Sequence, residues 1–109
     1  MTKMESKERL KKMVLATIKE IEELPKATEE KRKEFDNNIL SVVYSSSFDK
    51  GKQVYNGAEL LVAFGGPNIY INTRYNLVSG YWGSDRVEFN YSDDNDLYSE
   101  FEEYFYSSL

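Results

Sequence analysis

The chain has 109 residues, 40% hydrophobic and 15% aromatic, with 14 Lys and Arg against 19 Asp and Glu and a formal net charge of −5. That length suits one domain, residues 1–109, with a core of its own. Neither Cys nor His is present, which excludes disulfides, zinc sites built on those ligands, thiol nucleophiles and an imidazole base.

No run of 18 apolar residues occurs, so no membrane-spanning helix is expected. The mixed charges of the first twenty residues do not suit a signal peptide, and a cysteine-free chain fits a reducing cytoplasm. The charge itself is divided. Residues 1–53 hold 12 bases and 10 acids, whereas residues 54–109 hold 2 Arg and 9 acids. Such a second half repels nucleic acid and attracts a basic surface.

Residues 3–24 have the spacing of an amphipathic helix, with Leu10, Met13, Val14, Ile18, Ile21 and Leu24 recurring at three and four. Pro25 ends it. Thr28 is the expected N-cap of a second helix, with Glu29 and Glu30 in its first turn. Phe35, Ile39, Val42 and Val43 carry its stripe to about Ser46, which predicts an antiparallel helix pair over 3–46. The charge runs of both helices read as solvated faces. Ser45–Ser47 and Asp49–Lys52 read as a polar, flexible join.

Residues 58–91 hold the main strand pattern. Ile69, Ile71 and Thr73 alternate with Tyr70 and Asn72, and Val87, Phe89 and Tyr91 alternate with Glu88 and Asn90. Turns are expected at Gly65-Gly66-Pro67-Asn68, Tyr75-Asn76 and Gly83-Ser84-Asp85. A four-stranded antiparallel meander follows, at about 58–64, 68–74, 77–83 and 86–91. Leu60 or Leu61, Val62, Phe64, Ile69, Ile71, Val87 and Phe89 are the expected core. Gly80, inside a strand, suggests a bulge or an aromatic packed over it.

A C-terminal acidic helix is expected at 95–107, capped by Asp96 or Asn95. Leu97, Phe101, Tyr104 and Phe105 form its apolar stripe, and Asp96, Glu100, Glu103 and Ser107 its opposite ridge. The fold class is therefore α+β: two N-terminal helices, a four-stranded sheet and a C-terminal helix.

Catalytic readings find little support. Gly65-Gly66 lacks the surroundings of a phosphate loop. Asp93, Asp94 and Asp96 lack the offsets of a calcium loop and read as a capping segment. Glu59, Asp85 and Glu88 are the carboxylates an acid–base pair would draw on, with Arg74 and Arg86 as their expected ion-pair partners. No cofactor, metal or catalytic residue is expected, and the chain is expected to bind rather than to catalyse. The partner-binding candidates are Asp93, Asp94, Asp96, Glu100 and Glu103 for attraction and Trp82, Tyr70 and Tyr81 for anchoring. The three aromatics fit core packing as well as interface anchoring. Acids spaced along a helix can imitate a row of phosphates before a basic groove. An acidic accessory domain without such mimicry fits the same charges.

The segment Phe64-Gly65-Gly66-Pro67-Asn68-Ile69-Tyr70-Ile71-Asn72-Thr73, with Val78-Ser79-Gly80-Tyr81-Trp82 after it, resembles small uncharacterised proteins of bacterial phages and mobile elements. In size, charge and aromatic content the chain is similar to small acidic anti-CRISPR and antirestriction proteins. The resemblance implies an inhibitor acting inside a bacterial host cell on a protein with a basic surface, such as a nuclease.

Overall fold

The structure, a computed structural model, describes residues 3–94 and 96–109, Lys3 and Met4 by backbone alone. Helix α1 spans Lys3–Glu23, a 3-10 turn follows at Leu24–Lys26, and helix α2 spans Glu29–Asn37. Strands β1 (Ser41–Asp49), β2 (Lys52–Ala63), β3 (Asn68–Asn72), β4 (Leu77–Trp82) and β5 (Asp85–Asn90) precede helix α3 (Leu97–Ser107). The five strands form one antiparallel meander in chain order.

The α+β class holds, with one strand more than expected and a shorter second helix. Thr28 does cap α2, its hydroxyl accepting from the Lys31 N–H at 3.2 Å. The helix stops at Asn37, however, and Val42 and Val43 belong to β1. The spacing of Phe35, Ile39, Val42 and Val43 fits a helix, but Ile39–Tyr44 is also rich in β-branched and aromatic residues. Pairing with β2 decides the outcome. Asp49–Lys52 is the tight turn that permits this pairing and not a flexible join. Lys50 and Gly51 both take positive φ, 52° and 79°, the backbone of a two-residue hairpin whose twist matches its strands.

Residues paired across strands share a face, so register sorts the sheet into two surfaces. Leu60, Ile71 and Val78 lie in one row, with Ile69, Gly80 and Val87 beside it. All six are buried, beneath α1 on β4 and β5 and beneath α3 on β2. Leu10, Val14, Ile18 and Ile21 of α1 and Leu97, Phe101 and Phe105 of α3 complete this core. Each such side chain contributes roughly 1.5–3 kcal/mol by leaving water.

Gly80 lets α1 sit close. A Cβ there would meet Val14 Cγ2 at 2.7 Å and Leu10 Cδ1 at 2.9 Å. Neither a bulge nor an aromatic explains this glycine, because its register is regular in both ladders and aliphatic side chains cover it.

Two expected core residues are exposed. Phe64 lies beyond the end of β2 and is 72% exposed. Phe89 has the inward register, but β5 is the sheet's rim and leaves its ring 37% exposed. Leu60 is the core residue and Leu61 is only half-buried, as is Val62. In α3 the buried stripe is Leu97, Phe101 and Phe105, and Tyr104 turns outward.

Residues 52–57 of β2 run beyond the reach of β3, which would leave that edge open. Helix α3 closes it. The Tyr55 N–H donates to the Tyr106 hydroxyl at 3.0 Å, and the Tyr98 hydroxyl donates to the Tyr55 carbonyl at 3.4 Å. A covered edge no longer templates another strand.

Candidate functional site

The acids around α3 divide into those that build the helix and those that face water. Asp93 accepts from the Leu97 N–H at 2.7 Å and the Tyr98 N–H at 3.5 Å, occupying amide donors that a helix start leaves unpaired. Asp96 is the N-cap, in the left-handed region at φ 56°, and accepts from the Ser99 N–H at 3.4 Å. Asn95, the alternative cap, lies outside the described residues. Glu100 pairs with Arg32 of α2 and accepts from the Tyr104 hydroxyl at 3.0 Å. Asp94, Asp96 and Glu103 are exposed, and Glu102 is half-buried.

Three of the five predicted acids therefore have structural partners within the chain. Asp94 and Glu103 have none of these bonds, and neither has the half-buried Glu102.

The predicted aromatic anchors separate. Tyr81 and Trp82 are consecutive residues of β4, so they point to opposite faces of the sheet. Trp82 is on the helix-covered face, with the Arg9 guanidinium of α1 5.5 Å from its ring. Tyr70 and Tyr81 stand together on the other face, edge to face with centroids 5.9 Å apart. The Arg86 guanidinium lies 5.4 Å from the Tyr81 ring and pairs with Glu88, which accepts from the Ser79 hydroxyl at 3.2 Å. A shallow depression of about 360 Å³ opens here between Glu59, Asn68, Tyr70, Ser79 and Tyr81. Helix α3 packs on the opposite face, so one flat partner surface cannot touch both its acids and the tyrosine pair.

The candidate acid–base carboxylates do not converge. Asp85 pairs with Trp82 in register and shares its face, whereas Glu59 and Glu88 face the other way. Those two sit on β2 and β5, three strand spacings apart and two residues out of register, so more than about 14 Å at ~4.8 Å per spacing. Paired carboxylates in glycoside hydrolysis stand about 5–9.5 Å apart. Arg86 does pair with Glu88, but Arg74 lies over the Tyr75 ring at 5.3 Å instead. Among the described residues no group of three or more Asp or Glu is placed to hold a metal ion.

The shortness of α2 opens a groove that sequence reasoning missed. It is a space of about 240 Å³ between both N-terminal helices and the sheet, walled by Met13, Phe35, Val62, Ile69 and Ile71. Glu20 stands at its mouth. Lost hydration, and then the charge of Glu34, push its carboxyl above the ordinary value, with Lys31 opposing.

The chain matches no protein-family model, no curated protein and no solved structure.

Proposed function

We propose that the chain is a non-catalytic binding protein that sets its acidic C-terminal helix against the basic groove of a nucleic-acid-binding protein, such as a nuclease, and so excludes the nucleic acid. The observation that carries this is the charge after Arg86. Residues 87–109 hold Glu88, Asp93, Asp94, Asp96, Glu100, Glu102 and Glu103 with no Lys or Arg. Of these, Glu88 and Glu100 are held in ion pairs, while Asp94, Asp96 and Glu103 face water. A basic groove shaped for one phosphate charge per ~1.7 Å of duplex attracts such a surface over long range.

Titration against basic DNA-cleaving enzymes, with association followed at several salt concentrations, tests the proposal. Asp94→Asn, Glu102→Gln and Glu103→Gln together remove charge without touching the caps or the Arg32 pair. The triple variant should associate about tenfold more slowly at low salt, and the difference should fade as the Debye length falls from ~30 Å at 0.01 M to ~8 Å at physiological strength. A partner bound at an unchanged rate by the triple variant would refute the role of α3.

The tyrosine pair supports a second reading, an accessory domain that docks through its open sheet face. Tyr70→Ala and Tyr81→Ala would then accelerate dissociation, while the charge variants would have no effect.

A further inference from the structure

The two edges of the sheet differ in chemistry. Strand β5 carries Asp85, Arg86 and Glu88 within six residues, the kind of charged rim that discourages further strands from adding. Strand β1 has no such guard. From Asn37 to Phe48 there is no charged residue, in a chain that is 30% charged. The bulge in the β1–β2 ladder is on the β2 side, where Ser45 pairs with Gly57 and Ser46 with Tyr55, so Asn56 is the extra residue. Strand β1 therefore stays regular over nine residues, and alternate N–H and C=O groups point away from β2 with no strand among the described residues to meet them. Large apolar side chains are exposed along it and just before it, with Leu40 59%, Val43 63% and Phe48 77% exposed.

We propose that β1 pairs antiparallel with β1 of a second copy, joining two five-stranded sheets into one of ten. Its only charge is Asp49 at the far end, so the strand meets itself without opposing like charges. Pairing centred on Ser45 sets Phe48 opposite Val42 of the other copy, and pairing centred on Tyr44 sets it opposite Leu40. Either register places an exposed aromatic against an aliphatic neighbour, a favourable cross-strand pair. The ends complement as well. Antiparallel pairing carries the hairpin tip, with Lys50 and Lys52, toward the start of the partner's β1, just beyond the α2 C-terminus. That last turn has no base and contains Asp36, and cations are favoured at a helix C-terminus.

Sedimentation equilibrium of the full chain, across concentration and salt, tests this. Dimers should form and tighten with added salt, because screening weakens repulsion between copies that each carry −5. Ser45→Lys and Ser45→Glu each place like charges across the axis and should weaken self-association at least about tenfold. An equimolar mixture of the two variants should recover a heterodimer, a rescue that mere distortion of β1 would not produce. Hydrogen exchange provides a second readout, with outward β1 amides protected in the dimer and open in either variant alone. A wild-type chain that stays monomeric with open β1 amides at millimolar concentration overturns the proposal and leaves the edge to a strand of another protein. Failure of the mixed variants to associate overturns it equally.

Discussion

The guanidinium of Arg32 on α2 donates to the carboxylate of Glu100 on α3, across 68 residues of chain. Burial by itself would lower the pKa of Arg32. The hydrogen bond and charge of Glu100, with help from Asp36, outweigh that and raise it. The two side chains are only 28% and 20% exposed, so water screens the pair less than a surface ion pair. Glu100→Gln should destabilise the fold by about 1–2 kcal/mol. A double-mutant cycle with Arg32→Met, read by urea unfolding, checks it, and a coupling near zero would reduce the contact to surface decoration.

Gly80→Ala should cost about 1–3 kcal/mol, because the added methyl enters the seat of Val14 and Leu10. Val14→Ala in the same chain should recover part of that loss. Gly57→Ala should cost more, since its φ is 126° and Arg74 Cβ lies 2.6 Å from the new atom. Comparison of urea midpoints would decide the order.

Tyr91 is 5% exposed, and its hydroxyl has no hydrogen-bond partner among the described residues. Burial, and then the charge of Asp93, push its pKa up, so it stays a neutral phenol. A buried hydroxyl without a partner costs about 1–3 kcal/mol. Tyr91→Phe should therefore be neutral or stabilise by up to about 1 kcal/mol. A clear loss of stability would mean that a bound water or partner satisfies the group.

Glu20 gives a pH signature. Its pKa is raised in the fold, so the folded state holds that proton more tightly than the unfolded chain. The stabilisation is fully present below the ordinary value of 4.5 and is lost as pH rises through the folded value. At neutral pH the charged carboxylate opposes folding. Glu20→Gln should stabilise the protein at pH 7, with the gain disappearing below about pH 4.5.

Strands β3 and β5 were legible from their alternation, and β4, which does not alternate, from the Asn- and Gly-bearing turns that bound it. Strand β1 was not. Its residues satisfy helical spacing back to Phe35, and only the hairpin partner settles the choice, through a Lys50-Gly51 turn that composition alone marks as a linker. At the candidate site the acids of α3 were visible as a cluster. The employment of Asp93, Asp96 and Glu100 was not, because helix geometry and an arginine 68 residues away determine it. The parting of Tyr81 from Trp82 was available from strand period alone.

The closure of β2 at Tyr55 by the hydroxyls of Tyr98 and Tyr106 also sets an order of assembly. Tyr106 follows Tyr55 by 51 residues, so at ~5–20 residues per second a ribosome takes roughly 3–10 s to supply it. Until then residues 52–57 of β2, which β3 does not reach, keep an unpaired side, as does the outer side of β1.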